Sequence, residues 1–200
     1  MAVYVLTPPS PQLICINSWF WSGVFHARDT RFTEACDYFF ATSQLLYSSW
    51  FAAHRILHDY PRLSVYGVNL SRPLGLLCLA FYAYYVHYMS AVKFDYGLHM
   101  KINIALVVSH YIFWVIWTFI LPTGRSRPYR FYVLGFLTLI LAAASCEVFD
   151  FPPRPLFGYD GLLDAHACWH SMTVMMIPIY YMFWQKDWAF ERDGGGKKQD

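Results

Sequence analysis

The chain has 200 residues, of which 57% are hydrophobic, 20% aromatic and only 14% charged, with a formal net charge of +2. A soluble domain usually carries about a quarter charged residues, and a nucleic-acid binder gathers Lys and Arg into dense patches. The composition argues against both, and the chain has no glycine-rich phosphate loop and no internal repeat.

The apolar runs set the architecture. After the breaker TPPSP at 7–11 comes the shortest candidate, 12–27, which ends in SGVFHA before Arg28 and Asp29. A second run covers 38–53, preceded by Thr33 as an expected N-cap that puts Asp37 in the first turns of its helix. The stretches 73–92 and 102–124 contain no Asp, Glu, Lys or Arg. So does 165–185, whose helix is expected to begin near Gly161, and 131–146 fills the gap before it. Spanning a hydrocarbon core takes about 20 residues of helix. None of these runs shows the polar face, at 3.6-residue spacing, of a helix in a soluble bundle. The expected fold is all-α: a polytopic transmembrane bundle of six helices.

Basic residues orient it. Arg55, Arg62, Arg72, Arg125, Arg127, Arg130, Lys186, Arg192, Lys197 and Lys198 follow helices two, four and six. The opposite side has only Arg28, Arg31, Lys93, Lys101 and Arg154. The positive-inside rule places the richer side in the cytosol. The loops at 28–33, 93–99 and 149–162 then face the lumen or exterior, and the C-terminus is cytosolic. Cys15, Cys36, Cys78, Cys146 and Cys168 sit in or beside apolar runs, an odd count without the loop spacing of a disulfide framework.

Several groups able to do chemistry share the lumenal depth. Ser22 and His26 are four apart at the end of the first helix, and Asp37 opens the second. His166 and His170, in DAHACWH, project from one face of the last. An i, i+4 histidine pair gives two ligands to one metal, and a third histidine leaves a fourth position for water, the pattern of a catalytic zinc. Each group also has an ordinary reading. A histidine at a membrane interface serves as an anchor, Ser22 as a small interhelical contact, and Asp37 as a carboxylate favoured by the helix dipole. A second pair, His54 and His58, lies at the cytosolic edge beside Arg55 and Asp59 and reads as interfacial. His87, His99 and His110 read as helix-to-helix hydrogen-bonding or anchoring groups. Asp164, about 200° round the helix from His166, reads as a cap. One of the lumenal carboxylates is a candidate to orient a histidine.

The segments NSWFWSGVFHARDTRFTEACDYF (17–39), FDYG (94–97) and FDFPP…LLDAHACWH (149–170) resemble the signature segments of the post-GPI attachment to proteins factor 3 family. That family belongs to the CREST superfamily of membrane hydrolases, with alkaline ceramidases and adiponectin-type receptors. The resemblance implies a seven-helix fold of which six helices are visible. An atypical segment at 1–11 stands where family members have a signal peptide, a cysteine-rich segment and a first helix. A transmembrane hydrolase domain follows at 12–185, and a flexible cytosolic tail at 186–200. It implies zinc held by His26, His166 and His170, with Ser22 and Asp37 catalytic: Asp37 as general base, Ser22 as hydrogen-bond donor. The implied reaction is removal of the sn-2 acyl chain from the inositol phospholipid of GPI-anchored proteins. Its setting is the lumenal side of a Golgi or endoplasmic reticulum membrane, with membrane lipid as substrate and no stable protein partner or nucleic acid. Ceramide-type amide hydrolysis, or a truncated receptor-like protein without catalysis, are the alternatives.

Overall fold

A computed structural model of the protein describes residues 11–59, 70–122, 126–151 and 164–193. Within them lie six helices and no strand. They are α1 (Pro11–Ala27), α2 (Arg31–Asp59), α3 (Ser71–His87), α4 (Tyr96–Val115), α5 (Arg130–Val148) and α6 (Ala165–Arg192). α3 and α4 run on into π-helical turns, Tyr88–Val92 and Ile116–Ile120.

Three stretches, Ser71–Val92, Tyr96–Ile120 and Arg130–Val148, are long and apolar enough to cross a membrane. The protein is therefore a multi-pass membrane protein. The remaining helices, α1, α2 and α6, are the ones that carry Ser22, His26, Asp37, His166 and His170. α1 has 17 residues, or about 26 Å of rise against a core of ~30 Å. α2 and α6 have 29 and 28 residues, long enough to span, but their polar groups dilute the apolar signal. Such groups are costly in hydrocarbon and mark functional positions.

The chain divides into two compact units, Met1–Trp117 and Thr118–Asp200. In the first, α2 packs against α1, α3 and α4. Small residues make close approach possible: Ser49, Ala52 and Ala53 of α2 are all buried. The Ser49 hydroxyl donates to the Leu106 carbonyl of α4 at 2.9 Å. Trp50 Nε1 donates to the Ser71 carbonyl at 3.1 Å. The same indole leaves no room for a side chain on α3, because a Cβ on Gly75 would sit 3.0 Å from that nitrogen. Leu76, Leu77 and Leu79 of α3 are exposed, as lipid-facing residues are.

His99 closes a buried polar network between three helices, in line with its expected hydrogen-bonding role. Its Nδ1 lies 2.8 Å from Tyr85 Oη, and Asn103 Nδ2 lies 2.9 Å from its Nε2. The Thr42 hydroxyl donates to Asn103 Oδ1 at 2.9 Å. Donors and acceptors match throughout for a neutral His99 that carries its proton on Nδ1.

In the second unit α5 packs on α6. Phe136 meets Tyr180 edge to face at 5.0 Å, and a Cβ on Gly135 would come within 3.4 Å of Ile179. The Tyr129 hydroxyl donates to Asp187 Oδ1 at 2.7 Å, both groups being buried. Arg127 pairs with Glu191 and lies 4.0 Å over the Phe190 ring. These contacts correct the expected boundary at Gln185: residues 186–192 continue α6 rather than beginning a tail. The expected segment 1–11 lies almost entirely outside the described residues, as do 194–200.

The starts of α2 and α4 also differ from expectation. α2 begins at Arg31, so its cap is Thr30, whose carbonyl accepts the first helical bond from Glu34 N at 2.9 Å. Thr33 is instead the third helical residue. Its Oγ1 accepts from Thr30 N at 3.0 Å, while Thr30 Oγ1 accepts from Thr33 N at 3.2 Å. This is a reciprocal capping box with threonine in the place usual for glutamate. α4 begins at Tyr96, six residues before the charge-free run, because Asp95 caps it by accepting from Leu98 N at 3.0 Å.

Candidate functional site

The first unit carries Ser22, His26 and Asp37. A three-residue turn, 28–30, joins α1 to α2 and folds them into a hairpin. The Thr33 hydroxyl ties that turn by donating to the Arg28 carbonyl at 2.8 Å. Aromatic contacts hold the two helices in register. Trp21 stacks on Phe40 at 6.1 Å and meets Phe32 edge to face at 5.7 Å, and Phe25 meets Tyr38 at 6.5 Å. Ser22 and His26, one turn apart beside Trp21 and Phe25, therefore run alongside the α2 turns that carry Asp37. Ser22 is buried, Asp37 half-buried and His26 exposed.

Asp37 sits in the second turn of α2, next to a residue that pins that turn. The Tyr38 ring stacks on His99 at 4.2 Å and on Phe94 at 5.4 Å. Its hydroxyl donates to Glu34 Oε1 at 3.0 Å. This gives FDYG a structural reason. Phe94 stacks on Tyr38, Asp95 caps α4, and a Cβ on Gly97 would come within 3.3 Å of the capping oxygen. Between the spans, a hydrogen bond from Lys93 and one from Leu98 N hold the Asp95 carboxyl below its ordinary value.

The second unit carries the histidine pair. Asp164 caps α6, accepting from Ala167 N at 2.8 Å, which is the role expected of it. The helix begins at Ala165 rather than near Gly161, whose neighbourhood lies outside the described residues. His166 and His170 occupy its first two turns. Their Nε2 atoms lie 3.0 Å apart, with ring centroids at 4.5 Å. Two imidazole nitrogens so close cannot both present lone pairs to one another, so a proton or a cation belongs between them. Tetrahedral zinc at Zn–N of about 2.0–2.1 Å sets neighbouring nitrogens roughly 3.3 Å apart. The pair stands a few tenths of an ångström inside that separation, at the length of an N–H···N hydrogen bond.

The His54–His58 pair has the same sequence spacing and a different geometry. Its ring centroids are 6.0 Å apart. His54 Nδ1 is 2.6 Å from Ser71 Oγ, and His58 Nδ1 is 3.3 Å from Asp59 Oδ1. Asp59 also pairs with Arg55 at 3.3 Å and accepts from Trp117 Nε1 at 2.9 Å. This pair is built into packing, as its charged neighbours suggested.

Glu147, one of the lumenal carboxylates among which the sequence offers a partner to orient a histidine, stands beside the second pair. Both oxygens of Glu147, at the end of α5, face His166 Nδ1, at 3.3 and 3.4 Å. The signal available in the sequence was a lone carboxylate closing an otherwise apolar run. All five cysteines are free thiols.

Comparison with known proteins agrees with the motifs. The chain is 36% identical over 169 residues to post-GPI attachment to proteins factor 3 of Drosophila melanogaster, covering 83% of this chain and 47% of that protein. It is 36% identical over 174 residues to the GPI-specific phospholipase A2-like PGAP3 of Danio rerio, covering 86% and 50%. To the protein of that name in Homo sapiens it is 34% identical over 175 residues, covering 87% and 50%. The chain thus spans about half the length of these curated relatives. No solved structure matches it. The Per1-like family matches residues 2–188, nearly the whole chain, and this protein is a member of that family.

Proposed function

We propose that this protein is a zinc-dependent membrane hydrolase of GPI-anchor lipid remodelling. It removes the sn-2 acyl chain from the inositol phospholipid of GPI-anchored proteins, on the lumenal side of a Golgi or endoplasmic reticulum membrane. The observation that carries the reading is the 3.0 Å approach of His166 Nε2 and His170 Nε2, in DAHACWH, one of the segments that carry the family resemblance. The names of its relatives supply the reaction class. The excess of basic residues on the opposite side supports the lumenal placement.

In this reading His26, His166 and His170 hold the metal, all as neutral imidazoles. Zinc, when bound, supplies Lewis acidity toward both water and the scissile carbonyl. Asp37 takes the proton of the attacking water and returns it to the leaving alkoxide. Ser22, one turn before His26, donates a hydrogen bond to the oxygen on which negative charge develops. The Trp21, Phe25 and Tyr38 contacts keep the end of α1 that carries Ser22 and His26 alongside the start of α2 that carries Asp37.

The test is hydrolysis by the purified full chain of a GPI-type phosphatidylinositol labelled in its sn-2 acyl chain, with a ceramide as second substrate. The expected products are the labelled fatty acid and a lysolipid. Label retained in the lipid, or cleavage of the ceramide alone, would remove the proposed substrate.

A further inference from the structure

We infer that Glu147 is a positioning residue for the proposed metal centre: it holds the Nδ1–H of His166 and so presents that residue's Nε2 to the metal. The inference rests on the zinc reading above and concerns a residue which that reading does not use.

Three observations carry it. First, the two Glu147 oxygens lie at 3.3 and 3.4 Å from Nδ1, while Nε2 of the same ring faces His170 at 3.0 Å. The carboxylate addresses one edge of the imidazole and the histidine partner the other. Glu147 therefore cannot share a metal with Nε2, and its place is behind the ligand. Second, a carboxylate facing Nδ1 accepts the Nδ1–H, and in the neutral ring that places the lone pair on Nε2, which is the form that ligates. Metal-bound histidines almost always have such a partner, which orients the ring and raises its basicity. Third, Glu147 has no local reason to be there. It is the next-to-last residue of α5, where the negative end of the helix dipole disfavours a carboxylate. Packing between α5 and α6 within one unit, through Phe136 with Tyr180 and Tyr129 with Asp187, sets the spacing that lets it reach His166.

The experiment compares wild type, Glu147→Gln and Glu147→Ala as purified full chains in detergent. Zinc affinity is read by chelator competition, the cobalt-substituted proteins by their visible absorption, and stability by thermal unfolding. Glu147→Ala is expected to bind zinc ~10- to 100-fold more weakly, the usual cost of losing such a partner, with a shifted cobalt spectrum. Glu147→Gln keeps an acceptor without the charge and is expected to fall between the two. Unfolding of the metal-free proteins is expected to be unchanged, which separates ring orientation from a structural role. If wild type holds zinc and both variants bind it with wild-type affinity and spectrum, Glu147 is an ordinary surface partner and the inference is overturned, while the zinc reading stands. If wild type binds no zinc, both fall.

Discussion

Thr33→Val removes a hydroxyl and keeps the side-chain shape, at the turn that holds α1 against α2. The hydroxyl donates to the Arg28 carbonyl at 2.8 Å and accepts from Thr30 N at 3.0 Å. A net hydrogen bond is worth about 1 kcal/mol, which makes the upper value about 2 kcal/mol for the pair. Arg28 and Thr30 are exposed, so water can replace part of what is lost. The expected destabilisation is then about 1–2 kcal/mol. Thr33→Ser keeps both bonds and loses one methyl, about 0.8 kcal/mol when fully buried. Unfolding in mixed micelles, followed by the fluorescence of the tryptophans that include Trp19 and Trp21 on α1, measures both variants. The expected order is wild type, then Ser, then Val. If Val matches wild type and Ser is the less stable, methyl packing rather than the capping box holds the turn, and the argument for the α1–α2 hairpin fails.

Asp37→Asn keeps the volume but cannot accept a proton, so lipid hydrolysis should fall by ~10²-fold or more, and Ser22→Ala should cost ~10-fold. Zinc content, measured in the same preparations, should stay at the wild-type level in both; loss of metal from Asp37→Asn would make it a ligand instead of a base. A glycosylation acceptor placed within 152–160 should be modified in microsomes and one near Gly195 should not, and the reverse pattern would put the histidine pair on the cytosolic side. The Asp95 carboxyl is held below its ordinary value, so its cap on α4 is complete above the ordinary carboxylate range and is lost only as pH falls through the lowered value. The Leu98 amide shift, followed by NMR, should therefore titrate with a midpoint below 3.8; a midpoint above that value would contradict the Lys93 and Leu98 hydrogen bonds.

The charge-free runs marked where the helices lie, because hydrocarbon tolerates few charges and helices satisfy their own backbone. They did not mark where helices end. α2 extends from Arg31 to Asp59 and α6 to Arg192, since charged residues at the ends of a span reach for the interface or, like Asp187, find a buried partner. Lys101 and Asp95 hid the first turn of α4 for the same reason. Thr30 and Thr33 are equally good caps by composition. The choice between them follows from the turn, where Thr33 Oγ1 reaches the Arg28 carbonyl. The two histidine pairs differ in ring separation and in the polar neighbours of the rings, Ser71 and Asp59 in one case and Glu147 in the other, and spacing alone does not encode that. Glu147 was visible only as one of several lumenal carboxylates, because its meaning depends on α5 lying against α6.

Zinc content of the purified full chain tests the central claim most directly, measured by elemental analysis for wild type, His166→Ala with His170→Ala, and His54→Ala with His58→Ala. The proposed site predicts about one zinc per chain in wild type and in the His54/His58 variant, and none in the His166/His170 variant. Stoichiometric zinc retained without His166 and His170 would contradict it.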